Sequence, residues 1–370
     1  MGVPRQPDPG YIPALDGLRA VAIIIVIASH FGLSGMVPGE FGVTLFFFIS
    51  GFLITRLLLA EMRASGKFSI GRFYIRRFLR LGPPLFLVIA TVSALSYSER
   101  NPIGLMQVAA AVFYLINYFV VLGGACSLPL LVLWSLAVEE HFYLLYPVFL
   151  SIAWKWGTKF IVAIFSLCIA VMLWRTFLYF YLHVGRDRIA YSTDTRIDSI
   201  LFGVGLSSIL AIKPDGPIVN RLASMSVLLG SIVILLATFL IRNEGFRETI
   251  RYSLQGTALL SIVYCLIFSD RTPLARSILN FPIMNWIGRL SYSLYLWHPT
   301  AAYIISISEP SMGAPLKYIA ALQVTLLLAA ASYYAVELPF GKLRRRLRQD
   351  SVLPPNRTLR LNASTTHVPS

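Results

Sequence analysis

The segment ALDGLRAVAIIIVIASH (residues 14–30) decides the fold, because a long apolar run carries ionisable residues close to both of its ends. The run extends over about residues 12–32, and a helix that crosses a bilayer needs about 20 mostly apolar residues. On such a helix Arg19 and His30 share a face, about 20° from perfect alignment and roughly 16 Å apart along the axis. Asp16 lies one turn before Arg19 on the same face and can pair with it.

Three ionisable side chains on one face of a membrane helix indicate a polar cavity. Ionisable residues at membrane depth cost free energy and usually face a protein-lined or water-filled space. We therefore predict that Asp16, Arg19 and His30 belong to a catalytic site. From this segment alone, two alternatives remain open. Asp16 and Arg19 would anchor the helix at the membrane surface, and His30 would be an interfacial residue with no role.

The composition of the chain agrees with a membrane protein. Of its 370 residues, 56% are hydrophobic and 13% are charged, whereas a soluble domain has about 25% charged residues. We predict an all-α, polytopic bundle of transmembrane helices. The ten candidate spans are residues 12–32, 41–61, 82–98, 134–154, 160–182, 197–212, 222–241, 253–269, 287–308 and 317–338.

An eleventh apolar stretch, about residues 106–124, decides whether the number of membrane crossings is even or odd. If it does not cross, the main Lys and Arg clusters all lie on one side of the membrane, which the positive-inside rule makes cytoplasmic. Both termini are then cytoplasmic as well. Residues 106–133 would form a re-entrant element that other parts of the protein cover.

The net charge of +15 comes from clusters between apolar segments, and no nucleic-acid-binding motif accompanies them. We therefore predict no nucleic-acid partner, and neither a metal site nor a bound cofactor. From about residue 342 the chain is basic and then rich in Pro, Ser, Thr and Asn. We divide it into a membrane domain, residues 1–341, and a disordered cytoplasmic tail, residues 342–370.

Arg77 and Arg80 lie in the basic and aromatic stretch RFYIRRFLRLGPP (residues 72–84). On a helix, a spacing of three residues turns both guanidinium groups to one side, and such a pair suits the phosphates of an anionic cofactor. The alternative is a topology signal that contacts lipid headgroups, as clusters of this kind usually do.

Other ionisable residues lie within or beside later apolar segments. Glu139, in WSLAVEEHFYLLYP, is a carboxylate that would orient an imidazolium or accept a hydroxyl proton; the alternative is a carboxylate at the water interface. Arg196 and Asp198 open another span, where they would pair or bind a polar substrate. His298 is a second histidine within a span, either a substrate-binding residue or a hydrogen-bonded interior one.

Five motifs follow one another in order: DGLR with a histidine eleven residues after its arginine, FFxISGFLI, RRxxRxxP, WSLxVEExFY and SYxLYLWH. In this combination the chain resembles the acyltransferase-3 family of membrane acyltransferases over about residues 8–340. In that family the arginine–histidine motif and the RxxR motif matter for activity. The resemblance therefore implies roles for Arg19, His30, Arg77 and Arg80.

The resemblance also implies a reaction, an O-acyl transfer at the bacterial inner membrane with acyl-CoA as co-substrate, either acetyl-CoA or succinyl-CoA. The implied acceptor is a hydroxyl of a glycan or lipid-linked saccharide, such as an exopolysaccharide, an O-antigen or a lipo-oligosaccharide. Arg77 and Arg80 would bind the coenzyme phosphates on the cytoplasmic side. His30, nearer the outer face, would act as general base, with Glu139 orienting it or another base. A transient acyl-histidine is the less favoured variant.

Two other functional classes remain open at this point. One is a transporter in which Asp16, Arg19, His30 and Glu139 form a proton or solute path. Paired inverted repeats with broken helices, which many transporters contain, are not evident in the sequence. The other class is a non-catalytic factor for polysaccharide export.

Overall fold

The computed structural model describes residues 11–66 and 68–349, and these residues form helices and connections without a β-strand. Ten of the helices are long, and we label them α1 to α10 in chain order. They are α1 (Pro13–Ala28), α2 (Gly39–Ser65), α3 (Ile70–Ser98), α4 (Leu133–Ala153), α5 (Thr158–Phe180), α6 (Thr193–Ile212), α7 (Met225–Leu240), α8 (Arg251–Phe268), α9 (Pro282–Ser308) and α10 (Ala314–Ser332).

Short elements connect the long helices. A π-helical turn, Ser29–Leu33, continues α1, and another, Tyr333–Glu337, follows α10. The remaining short helices are Leu105–Val112, Ile116–Val121, Leu128–Leu131, Trp154–Trp156, Arg186–Tyr191, Pro217–Leu222, Glu244–Glu248, Pro273–Leu279 and Leu338–Gln349.

Eight helical stretches are long and apolar enough to cross a membrane, and they contain α1 to α6, α8 and α10. The prediction of an all-α, polytopic membrane bundle is therefore confirmed. The other two predicted spans are also helices, but α7 has only 16 residues. In α9, 27 residues long, the polar side chains lower the mean hydropathy. The number of crossings and the side on which the termini lie stay predictions.

The ambiguous apolar stretch near residues 106–124 is not one continuous helix. It is divided between the short helices Leu105–Val112 and Ile116–Val121. Polar side chains hold this region to its surroundings: Gln107 Nε2 donates to Ser127 Oγ at 2.9 Å and Asn117 Nδ2 to Thr193 Oγ1 at 3.2 Å. Both donors are buried. The break agrees with a covered, non-crossing element, although re-entry into a membrane stays a prediction.

The helices α1 and α9 run parallel and touch closely where both begin. A β-carbon added at Gly288 would lie 1.9 Å from the backbone oxygen of Asp16, and one at Gly17 would lie 2.2 Å from the backbone oxygen of Leu279. Only glycine permits this approach of one helix backbone to another. The contact sets the register between the two helices, so the π-helical turn that follows α1 lies beside the middle of α9, at His298.

The two ends of the bundle are distinguished by the contacts between helix termini. At the end where α1 begins, Trp286 Nε1 donates to the hydroxyl of Tyr334 at 3.1 Å, which joins the start of α9 to the turn after α10. At the opposite end, here called the distal end, Arg186 Nη2 donates to Glu40 Oε1 at 2.7 Å, beside the start of α2. After α10 the chain is therefore again at the end of the bundle where α1 begins.

The predicted tail begins as a helix. Leu338–Gln349 is helical and basic, so residues 342–349 belong to a helix; the division of the chain at residue 342 and the disorder of the tail stay predictions. The sequence of the second half of this helix contains four arginines, and a basic helix of this kind suits the surface of a membrane with anionic headgroups. Residues 350–370 lie outside the described residues.

Candidate active site

Two cavities lie one above the other: α1, α2, α4 and α9 contribute to both, α3 lines the first, and α7, α8 and their connection line the second. The first, here called the arginine cavity, has a volume of about 80 Å³ and is lined by Arg19, Arg77, Arg80 and Glu139 among apolar residues. The second, here called the histidine cavity, opens at the distal end, has a volume of about 450 Å³ and contains His30. Val43 and Tyr295 line both cavities.

Arg77 is the most constrained side chain of the arginine cavity. Its guanidinium carbon lies 3.4 Å from the centre of the Tyr143 ring, a cation–π contact. Its Nη2 is 3.5 Å from Glu139 Oε2 and its Nε is 3.5 Å from Glu140 Oε1. Two carboxylates therefore hold this cation in the cavity wall, with its planar face covered by an aromatic ring.

Arg19 and Arg80 complete the basic lining, and Asp16 lies behind Arg19. Arg19 Nη1 is 3.9 Å from Asp16 Oδ1, so the pair expected from the spacing on α1 forms. Asp16 also accepts a hydrogen bond from the hydroxyl of Tyr11 at 2.8 Å. Burial and this contact raise the pKa of Tyr11 to about 12. The structure thus brings Arg19, Arg77, Arg80 and Glu139 to one cavity and places Asp16 beside it.

His30 contacts the second histidine that the sequence singled out. His30 Nδ1 is 2.9 Å from His298 Nε2, and the two rings stack with centroids 5.0 Å apart. His298 Nδ1 lies 2.7 Å from the backbone oxygen of Tyr295 and 3.3 Å from that of Leu294. Because a carbonyl oxygen accepts only, His298 carries its proton on Nδ1 and accepts at Nε2.

The tautomer of His30 follows from that of His298. His30 donates its Nδ1 proton to His298 Nε2, so its own Nε2 keeps a lone pair. This nitrogen is the basic atom that the histidine pair offers to the histidine cavity. The sequence predicted His298 as a substrate-binding residue, but it is 1% exposed and does not line either cavity. Its position is that of a residue that orients His30.

Glu139 is not the partner of His30. Its carboxylate contacts Arg77 and accepts a hydrogen bond from the Tyr143 hydroxyl at 3.1 Å. His298, and not Glu139, is the residue beside His30. The reason is the depth of each side chain: Glu139 lies at the arginine cavity, whereas His30 lies at the distal one. That Glu139 orients another base stays a prediction.

Tyr295 separates the two cavities. Its hydroxyl lies 2.6 Å from Ser135 Oγ and donates to the backbone oxygen of Val132 at 2.9 Å. The ring of Phe46 packs edge-on against it, with centroids 6.3 Å apart. Sequence reasoning did not single out Tyr295, although it lies within the SYxLYLWH motif. Its backbone oxygen holds His298, so one residue supports the histidine pair and forms the partition.

The histidine cavity has an ionic wall that sequence reasoning missed. Glu40 pairs with Arg186 at 2.7 Å and with Arg251, and Arg186 Nε is also 3.3 Å from Glu248 Oε1. Burial, together with repulsion from Glu40, raises the pKa of Glu248, while Arg186 opposes this shift. These charges sit at helix ends, where a sequence pattern looks like ordinary interfacial residues.

Arg196 and Asp198 do not line either cavity, and their role as substrate-binding residues stays a prediction. Asp198 is fully buried and forms a bidentate ion pair with Arg175, with both N–O distances at 2.9 Å. Arg196 is 1% exposed, and its guanidinium carbon lies 3.8 Å from the centre of the Tyr252 ring. Both are packing residues between helices, and their partners lie on other segments of the chain.

Comparison with known proteins identifies the family of the chain. Residues 12–334 match the family model described as an acyltransferase domain. The chain belongs to this acyltransferase family. It is therefore a multi-pass membrane protein of a family whose members transfer acyl groups to hydroxyls, which favours an enzyme over the transporter and the export factor.

Individual relatives carry more specific names. The chain is 31% identical over 358 residues to the peptidoglycan O-acetyltransferase OatA of Listeria monocytogenes, covering 90% of this chain and 56% of the relative. It is 32% identical to a putative O-acetyltransferase of Staphylococcus aureus strain COL, covering 90% and 58%. The chain thus spans little more than half the length of these relatives. No solved structure matches it.

Proposed function

We propose that this protein transfers an acetyl group from cytoplasmic acetyl-CoA to a hydroxyl of a bacterial glycan at the outer face of the inner membrane. The observation that carries the proposal is the histidine pair. His30 gives its Nδ1 proton to His298 and keeps the lone pair of Nε2 in a cavity of about 450 Å³. An oriented neutral imidazole in a cavity of this size is suited to act as a general base.

The arginine cavity supports the choice of donor. Arg19, Arg77 and Arg80 line it, and guanidinium groups bind phosphates strongly. Its volume of about 80 Å³ is far below the roughly 300 Å³ or more of a ligand-sized pocket. We infer that the nucleotide part of the coenzyme binds at the cytoplasmic mouth of this cavity. The narrow interior would receive the thiol end of the pantetheine arm with a short acyl group.

Charge favours an acetyl group over a succinyl group as the transferred acyl group. A succinyl group would bring a carboxylate past Glu139 and Glu140, which already compete for Arg77. An acetyl group brings no charge, and the relatives of the chain are named O-acetyltransferases. The thioester would pass the partition at Val43 and Tyr295 to meet His30.

The chemical step then needs one base. His30 Nε2 takes the proton of the acceptor hydroxyl while the hydroxyl oxygen attacks the carbonyl carbon of the thioester. The new ester C–O bond forms, the C–S bond breaks, and the departing sulfur receives the proton from the His30 imidazolium. Products are the O-acetyl glycan and free coenzyme A, and His298 accepts from His30 Nδ1 throughout. Oriented general bases contribute about 10²–10⁴ in rate.

The names of the relatives bear mainly on the identity of the acceptor. One of them is named for peptidoglycan, a glycan outside the membrane, and the histidine cavity opens at the distal end. We therefore place peptidoglycan beside exopolysaccharide, O-antigen and lipo-oligosaccharide as acceptors to be tried.

The test uses the full chain in lipid nanodiscs with acetyl-CoA labelled in the acetyl group. Labelled glycan is expected for the wild-type protein, and His30→Ala should lose about 10²-fold or more in rate. His183→Asn is the matched control, because His183 is exposed at the distal end with a φ of 48° that asparagine tolerates. Full transfer by a folded His30→Ala protein would overturn the proposal.

A further inference from the structure

The histidine cavity carries much more positive than negative charge. Its lining includes four arginines, Arg186, Arg242, Arg247 and Arg251, and a single carboxylate, Glu40. The buried Glu248 behind Arg186 compensates one more of them. Two positive charges are therefore left without a counter-charge in a cavity that contains the proposed general base.

The four arginines divide into two pairs. Arg186 and Arg251 are committed to Glu40 and Glu248. Within the part of the chain that the structure describes, the side chains of Arg242 and Arg247 have no ion pair and no hydrogen bond. Arg242 is exposed and Arg247 is half-buried, so a ligand in the cavity can reach both guanidinium groups. A ligand that supplies negative charge would gain charge-assisted hydrogen bonds from them.

The position of these two arginines relates them to the acceptor. Arg242 precedes the short helix Glu244–Glu248 and Arg247 lies within it, in the connection between α7 and α8 at the distal end. They line the same cavity as His30, whereas the proposed donor site lies beyond Tyr295 and Val43. A molecule that presents a hydroxyl to His30 would thus have its neighbouring groups within this arginine wall.

We propose that the histidine cavity binds an oxyanion of the acceptor saccharide, a carboxylate or a phosphate on the sugar, through Arg242 and Arg247. This inference rests on the proposed function and specifies its substrate class: the acceptor is an acidic glycan. Guanidinium forks match carboxylate and phosphate oxygens with two parallel hydrogen bonds. The anion fixes the sugar, and the fixed sugar presents its hydroxyl to His30.

The first experiment measures binding without an acyl donor, so it does not depend on turnover. The full chain in nanodiscs of phosphatidylcholine alone is titrated calorimetrically with cellotetraose, with its C6-oxidised tetraglucuronate and with its 6-phosphorylated form. The acidic saccharides should bind roughly tenfold or more tightly than the neutral one, as charge-assisted hydrogen bonds imply. Which of the two acids binds better identifies the carboxylate or the phosphate as the natural anion.

Variants link that preference to the two arginines. The double variant Arg242→Gln/Arg247→Gln should lose the preference for acidic saccharides and keep its weak binding of cellotetraose. Arg100→Gln should keep the preference, because Arg100 is exposed between α3 and Leu105–Val112 and does not line the cavity. Equal binding of acidic and neutral saccharides by the wild-type protein would overturn the inference.

Adenosine 3′,5′-bisphosphate, the nucleotide end of coenzyme A, provides a further decisive arm. If the double variant loses binding of this nucleotide and keeps its saccharide preference, the arginine wall belongs to the donor and the inference is wrong. If saccharide binding behaves as expected but no acetyl transfer occurs, the proposed function fails while the anion site stands. The two failures are therefore distinguishable.

Discussion

His30 and His298 are 268 residues apart in the chain, yet their ring nitrogens lie 2.9 Å apart, where the turn after α1 meets the middle of the parallel helix α9. His298 is held by the backbone oxygen of Tyr295, whose ring separates the arginine cavity from the histidine cavity. The orientation of His30 and the partition between the two cavities therefore both depend on the segment of α9 from Tyr295 to His298. The following predictions test this arrangement and the packing that supports it.

Replacement of His298 should lower the rate of acetyl transfer without weakening donor binding. In His298→Ala, His30 loses the acceptor of its Nδ1 proton, so both tautomers and several ring orientations become accessible. We expect kcat to fall, by less than the roughly 10²–10⁴ that removal of the base itself costs, with KM for acetyl-CoA unchanged. His298→Gln offers a carbonyl oxygen as acceptor and should recover part of the rate. A His298→Ala protein with normal kcat would contradict the orienting role.

The contact between α1 and α9 should tolerate no side chain at Gly288. In Gly288→Ala the new β-carbon meets the backbone oxygen of Asp16, so the helices must separate. We expect a loss of about 1–3 kcal/mol in the free energy of unfolding, together with lower activity because His298 moves away from His30. Thermal unfolding in detergent measures the first effect. Gly230→Ala is the control, since its β-carbon would meet open space; equal loss in both variants would refute the packing argument.

The ion pair between Arg175 and Asp198 should support folding rather than substrate binding. Asp198→Asn leaves a fully buried guanidinium without its counter-charge, and breaking such a pair costs about 3–5 kcal/mol. We expect poor expression and a lower unfolding temperature, whereas the folded fraction should keep the wild-type KM for donor and acceptor. A raised acceptor KM in a stable Asp198→Asn protein would support the substrate-binding prediction.

The two ends of the bundle should face opposite sides of the membrane. Met36 is exposed at the distal end between α1 and α2, and Asp270 is exposed at the other end after α8. In intact cells, a membrane-impermeant maleimide should label Met36→Cys, whereas Asp270→Cys should react only after permeabilisation. Both variants are made in a background in which Cys126 is Ser. The reverse labelling pattern would invert the topology and give the histidine cavity to the cytoplasm.

Cys126 should react slowly with alkylating reagents at neutral pH. Burial raises the pKa of its thiol to about 11, an effect that the hydrogen bond from Gln107 only partly opposes. Because the thiolate is the nucleophile, about one molecule in a thousand is reactive at pH 8. The rate of iodoacetamide labelling should rise about tenfold per pH unit between pH 7 and pH 10. A Cys126→Ser protein supplies the background, and a pH-independent rate would contradict the burial of this thiol.

Some features of the site were within reach of the sequence because they depend on spacing within one helix. Asp16 and Arg19 pair as their separation on α1 predicts, and Arg77 and Arg80 line one cavity as their spacing on α3 predicts. By contrast, Arg196 and Asp198 open a span together but have their main partners elsewhere. Asp198 pairs with Arg175 on α5, and Arg196 packs on Tyr252 of α8. A charged residue within an apolar run indicates that a partner is present in the fold, but the sequence does not show which residue this partner is.

The bundle of membrane helices was predictable from the sequence, because the length and hydropathy of each apolar run are local properties. The acyltransferase motifs are likewise visible in the sequence. The contact of His30 with His298 instead of Glu139 was not predictable, because it depends on the register between α1 and α9. The same holds for the cluster of Glu40 with Arg186, Arg242, Arg247 and Arg251, whose members come from three separate regions of the chain. Such assemblies depend on how helices pack, and packing is set by all their contacts at once.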